Sequence, residues 1–187
     1  MKKYISLLAL FLLPAIASAG SFFDGSIFGV TAISQNADLE VSSPGSATLT
    51  SSESGTGFGI YLDKYYKKKY RLNGTWSYVG YDNFDISELT VAADYLIPLN
   101  SDITFFGGVA AGGALQKFSD AGVGDSALGL VYGVQLGGIA YLNKHLMLEL
   151  GYRFRPANVE TEVESLTDTI ITVTDLSETY LSLLLMF

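Results

Sequence analysis

Leu146-Met147-Leu148-Glu149-Leu150-Gly151-Tyr152-Arg153-Phe154-Arg155 and, further on, Thr179-Tyr180-Leu181-Ser182-Leu183-Leu184-Leu185-Met186-Phe187 decide the fold. In the first stretch Leu146, Leu148, Leu150, Tyr152 and Phe154 alternate with Met147, Glu149, Gly151, Arg153 and Arg155. In the second, Leu181, Leu183, Leu185 and Phe187 recur at every second position. Period two is the signature of a strand whose side chains point to opposite faces. One face is greasy and the other carries charge. A charge at alternate positions cannot face hydrocarbon, and the apolar set beside it must. This is the pattern of a transmembrane β-barrel wall.

Outward from these segments the same period repeats. Phe28, Val30 and Ala32 mark a first strand from Phe22 to Ser34, and Phe58, Ile60 and Leu62 mark a second opposite Tyr61 and Asp63. A third sets Tyr70, Leu72, Gly74, Trp76 and Tyr78 against Arg71, Asn73, Thr75, Ser77 and Val79. A fourth sets Leu89, Val91, Ala93 and Tyr95 against Glu88, Thr90, Ala92 and Asp94. Ile103 to Leu115 and Ala127 to Leu142 supply a fifth and a sixth, both rich in glycine. With the two opening stretches this makes eight. The expected fold is all-β: an eight-stranded antiparallel up-and-down barrel.

Short connections are expected after the second, fourth and sixth strands and longer ones after the first, third, fifth and seventh. Such asymmetry separates the two rims of a membrane barrel. Asn36 to Gly55 reads either as a long loop or as an extended hairpin with Pro44-Gly45 at its tip. Ala157 to Asp175 reads as a long acidic connection with an extended middle.

The N-terminus is expected to be processed. Lys2 and Lys3, an apolar run from Tyr4 to Ile16 and the small residues Ala17-Ser18-Ala19 make a secretory signal peptide over residues 1–19, leaving 20–187 as the barrel domain. The run is short for a membrane anchor. The formal charge of the whole chain is −8. Losing Lys2 and Lys3 makes it more negative, which argues against nucleic acid as a partner. No cysteine is present, so neither a disulfide nor a lipid-anchored cysteine is expected.

Two rival folds compete for the same residues. Gly129, Gly133 and Gly137 are spaced as in packed membrane helices, but the segment is short and Gln135 interrupts it. In a strand the three share one face and make room inside a narrow barrel. A soluble barrel of the lipocalin type wants an apolar lumen, whereas charge here shares its phase with Gly, Ser and Thr.

The lumen phase holds Asp63, Arg71, Glu88, Asp94, Glu149, Arg153, Arg155 and Glu178. Charges inside a narrow barrel must pair. Asp63 is expected near Arg71, and Glu178 near Arg153. The set reads either as an ion pathway or gate, or as a packed ion-pair core. His145, the single histidine, follows the Asn143-Lys144 turn and belongs to the short-turn rim. No spacing suggests a metal or a cofactor. Asp38, Glu40, Glu53, Asp82, Asp85, Asp120, Asp125, Glu160, Glu162, Glu164, Asp168 and Asp175 make the other rim acidic, where a solvated face is the simplest reading. Tyr65, Tyr66, Tyr70, Tyr95 and Phe187 near one rim, and Trp76, Tyr78, Tyr152 and Phe154 near the other, read as two aromatic girdles.

On Leu148-Glu149-Leu150-Gly151-Tyr152-Arg153-Phe154 and the last strand to Phe187, the chain resembles the small eight-stranded outer-membrane barrels of Gram-negative bacteria, a group including the OmpA transmembrane domain, OmpX and the opacity-type proteins. The resemblance implies that Leu181, Leu183, Leu185 and Phe187 form the signal read by the outer-membrane insertion machinery. It implies a monomer in contact with outer-membrane lipid and lipopolysaccharide. Because the barrel runs to Phe187, no peptidoglycan-binding domain is expected after it. The expected role is structural or porin-like, with at most a narrow, gated solute path. The alternative is a surface adhesin using its long loops. A lipid-modifying enzyme fits least, because such barrels place a histidine at the outer rim and this chain does not.

Overall fold

The computed structural model describes residues 25–42, 47–67, 69–118, 126–163 and 169–186. Residues 1–24, which include the expected signal segment over residues 1–19, the final Phe187 and parts of four connections, over residues 43–46, 68, 119–125 and 164–168, lie outside this set. Eight strands follow in order: β1 (Ser26–Ser42), β2 (Leu49–Tyr66), β3 (Tyr70–Gly80), β4 (Phe84–Pro98), β5 (Ile103–Phe118), β6 (Ser126–Tyr141), β7 (Leu146–Val163) and β8 (Thr169–Met186). Each pairs antiparallel with its sequence neighbour, and β1 closes on β8 from Ile27↔Met186 to Ser42↔Ile170. Closure leaves the membrane-embedded part with no open edge, so lipid meets no unpaired backbone group.

The two faces differ as the alternation dictates. The outer face exposes Leu128 (78%), Leu130 (75%), Leu89 (65%), Val91 (62%) and Val109 (62%). A continuous apolar belt of this kind in water would drive aggregation, and in a bilayer it is the matching surface. β3, at 11 residues, is just long enough to cross the hydrocarbon at a barrel tilt. β2, β7 and β8, at 18 residues, overshoot it.

That overshoot corrects the loop pattern expected above. The β3–β4 connection is only residues 81–83, no longer than the short turns over residues 67–69, 99–102 and 142–145. The asymmetry lies instead in strand extension on the long-loop side. β1 runs on to Ser42 instead of ending near Ser34, and Ala157 to Asp175 is largely paired, so both segments are extended hairpins. A bulge between Pro156 and Val159 absorbs the register change where β7 leaves the barrel wall.

One girdle assignment changes. Tyr66, Tyr70 and Tyr95 point outward, and Tyr70 and Tyr95 pack edge to face at 5.6 Å. Tyr65 shares the phase of Asp63, faces the lumen and packs on its apolar lining. Position near a rim suggested a girdle, but parity along the strand decides the face. Phe187 is outside the described residues.

Candidate functional site

The lumen is filled in three tiers. At the short-turn end Ile27, Leu96, Phe106, Ile139, Met147 and Leu184 form an apolar floor. At the other end Leu39, Phe84, Ile86, Val159, Val173 and Leu176 form an apolar lid. Between them lie the eight charged residues singled out in the sequence, each no more than 3% exposed.

The lower group centres on Arg71. Its Nε donates to Asp94 at 2.8 Å, one terminal nitrogen reaches Asp63 at 3.4 Å, and the guanidinium also pairs with Glu149. Asn73 donates to Asp63, Gln135 donates to Asp94 at 2.6 Å, and the Tyr180 hydroxyl donates to Glu149 at 2.9 Å. The Arg71 guanidinium also lies 4.4 Å from the Phe106 ring centre.

The upper group joins this one through Gln135, whose carbonyl accepts from Arg153 Nε at 2.9 Å. Arg153 donates to Glu178 at 2.9 Å and to the Tyr61 hydroxyl at 2.6 Å, and it stacks over the Tyr180 ring at 4.1 Å. Arg155 bridges Glu178 at 2.6 Å and Glu88 at 2.8 Å. Gln35 donates to both Glu88 and Glu178, at 2.9 and 3.2 Å, and accepts from the Tyr81 hydroxyl at 2.6 Å. Burial pushes the Tyr81 phenol well above its ordinary range, and Glu88 and Glu178 add to the shift, so it stays a neutral donor. Glutamine and tyrosine thus satisfy most of the carboxylate and guanidinium positions that the ion pairs leave open, which a buried network requires. The exceptions are Arg155 Nε, which has no hydrogen-bond partner, and Glu88 Oε2, which has only its ion contact with Arg155.

The second feature is above the barrel. β1 and β2 stay paired from Gln35↔Gly55 to Val41↔Leu49, β1 and β8 to Ser42↔Ile170, and β7 and β8 from Val159↔Val173 to Val163↔Thr169. β3 stops at Gly80, opposite Thr56, and β6 pairs with β7 only as far as Leu130↔Asn158. The result is a four-stranded open sheet in the order β2-β1-β8-β7. Among the described residues, neither β2 from Leu49 to Ser54 nor β7 beyond Val159 has a strand on its outer side. The inner face of this sheet is not loose, because Ala37, Leu39, Val173 and Leu176 pack onto Phe84, Ile86 and Val131. The segments Leu39-Val41 and Ile170-Val173, paired with each other, are therefore the centre of this sheet. Its edges belong to β2 and β7.

The two edges differ in chemistry. β7 carries the exposed Glu160 among its edge residues, a charge guard against strand pairing. Leu49-Thr50-Ser51-Ser52-Glu53-Ser54 has no proline and no lysine and one acidic residue. Asp38, Glu40 and Asp175 line a polar hollow of about 390 Å³ on the flank of the sheet. Among the described residues no group of three or more His, Cys, Asp or Glu is placed to hold a metal ion. His145 sits exposed at the short-turn rim, its Nδ1 3.2 Å from the Met186 carbonyl oxygen.

No family model matches the chain. No curated protein matches it either. Solved structures do. Neisserial surface protein A is similar at a TM-score of 0.65 and 14% identity, over 86% of this chain and 97% of that one. The outer membrane protein AlkL, in lipid bilayers, is similar at 0.57 and 14% identity, over 88% and 90%. The outer membrane protein OprG from Pseudomonas aeruginosa is similar at 0.54 and 14% identity, over 86% and 96%. At such identity the likeness is one of fold, and the fold is that of the small eight-stranded outer-membrane β-barrels.

Proposed function

We propose that the chain is a monomeric outer-membrane anchor that works at the cell surface, where the β2 edge of its open sheet takes up an extended segment of another protein. In this reading the short turns face the periplasm and the sheet faces outward, in contact with lipopolysaccharide. The observation that carries it is the pairing of an inward-packed sheet with an edge from Leu49 to Ser54 that has no neighbouring strand among the described residues and carries a single, half-buried charge, Glu53. Strand addition draws affinity from main-chain hydrogen bonds and needs such an edge held in place. The filled lumen supports the same reading, since an eight-stranded barrel closed by its own side chains serves as a scaffold. Leu181, Leu183 and Leu185, outward and 53, 42 and 43% exposed, would with Phe187 serve the insertion machinery.

Adjacent residues of a strand turn their N–H groups to opposite sides. Of Ser51→Pro and Ser52→Pro, one therefore breaks the ladder to β1 and the other removes a donor from the open edge alone. Cells displaying the edge-facing variant should insert the barrel normally and lose adhesion to immobilised extracellular proteins. Unchanged adhesion in both variants would remove the strand-addition reading.

A further inference from the structure

The lipid-facing wall is not uniform. Across β3 to β7 it is hollowed into an apolar cavity of about 680 Å³. Ala93 and Ala111 are in its floor, with Leu72, Val109, Val134 and Phe154 among the residues around it. Alanine keeps the floor low where the neighbouring outward positions carry larger side chains. Toward the short-turn rim one outward position is a glycine, Gly107. Tyr95 lies two residues beyond Ala93 and opposite Gly107, and a Cβ on Gly107 would meet nothing closer than the Gln135 carbonyl oxygen at 3.9 Å.

At that rim stands a basic turn. Lys67 and Lys69 are both exposed and adjoin the Tyr70–Tyr95 ring pair. The Lys69 carbonyl accepts from Leu96 N–H at 2.8 Å, which fixes the turn to β4, the strand that supplies Ala93. From Lys69 to Leu72 is three residues, or about 10 Å along the strand. Exposed Lys67, Lys69 and Lys144 lie on this side together with Asp102, and Asp38, Glu40, Asp82 and Glu160 lie on the other together with Lys117, so the balance on this rim is basic.

An apolar trough in the hydrocarbon, about 10 Å along the strand from a turn that carries two exposed lysines, matches one kind of molecule: an anion with a hydrocarbon chain. We propose that this wall holds an anionic glycerophospholipid of the periplasmic leaflet, with one acyl chain in the hollow and its phosphate on Lys67 and Lys69. The proposal rests on the orientation given above and not on strand uptake. Chain burial and charge attraction act together at such a site. A lysine near an anionic lipid surface contributes within a Debye length only. A zwitterionic lipid with the same chains would gain the trough and little from the lysines.

The test is native mass spectrometry of the full mature barrel in detergent, with added phosphatidylglycerol or phosphatidylcholine of identical chains. The expected result is a retained one-to-one phosphatidylglycerol adduct at least tenfold more populated than the phosphatidylcholine adduct. Lys67→Glu/Lys69→Glu should lose that preference. Ala93→Leu/Ala111→Leu should lose retention of both lipids, and Lys144→Glu, on another turn, should change nothing. Equal retention of the two lipids by the unaltered barrel, an undiminished preference in Lys67→Glu/Lys69→Glu, undiminished retention by Ala93→Leu/Ala111→Leu, or an equal loss of preference in Lys144→Glu would overturn the site. If the paired leucines prevent insertion, Ala93→Val alone carries the trough test, and undiminished retention by it counts against the proposal.

Discussion

Arg71 faces three carboxylates, Asp63, Asp94 and Glu149, inside a lumen where each of the four side chains is almost fully buried. Removing the guanidinium leaves all three without their counter-charge, whereas removing one carboxylate leaves Arg71 with two. Arg71→Met is therefore expected to destabilise the barrel by about 3–5 kcal/mol, the range for breaking a buried pair from one side. Asp63→Asn gives up its longest ion contact, at 3.4 Å, and keeps an amide partner in Asn73, so it should cost about 1 kcal/mol or less. Urea unfolding in lipid vesicles, read on the fluorescence of the single Trp76, measures both. A larger loss for Asp63→Asn than for Arg71→Met would show that Arg71 is not the hub of the lower group. Parity along each strand says which charges share the lumen. It does not say which of them meet, because Arg71 reaches Glu149 across 78 positions of sequence, and only the closure of the sheet brings β7 over β3.

Within single strands the glycines of β6 show what the alternation leaves unsaid. Gly137 lies against the Phe106 ring, which a Cβ at that position would approach to 2.6 Å, and against the backbone of β7. Gly137→Ala is expected to cost about 1–3 kcal/mol as an overpacked core position. The companion change Phe106→Leu should recover only part of it, because the β7 carbonyl cannot move aside as a ring can. Full recovery in the same urea assay would place the whole clash on the ring. The sequence pattern foretells a small residue facing the lumen here but not the side chain that claims the space. The extended hairpins were harder to see for another reason. Beyond the membrane a strand faces water outside, so Asn36 to Gly55 loses the contrast of apolar and charged residues that marks the embedded strands. Serine and threonine there read equally as loop. The inner residues that reveal pairing, Ala37 and Leu39, are few, and their partners Val173 and Leu176 are remote in sequence.

For the molecule as a whole, the arrangement of tiers decides conduction. An ion crossing the barrel would have to pass the floor around Met147 and Leu184, then the ion-pair tier, then the lid around Leu39 and Phe84. Two of the three tiers are packed mainly with apolar side chains and offer little to replace lost hydration. The native barrel is therefore expected to give no single-channel steps in planar bilayers. The same argument makes a less obvious claim about variants. Arg153→Ala removes a large side chain from the middle tier and leaves Glu178 paired with Arg155, so water can enter the vacated space, yet floor and lid stay closed. Its stability should fall while its bilayer record stays silent. Conductance should arise only when an apolar tier is opened as well, as in Arg153→Ala combined with Met147→Gly and Leu184→Gly. Steps from Arg153→Ala alone would mean that the charged tier is the gate, and the barrel would then be read as a solute path closed by its ion pairs instead of a sealed scaffold for the sheet above it.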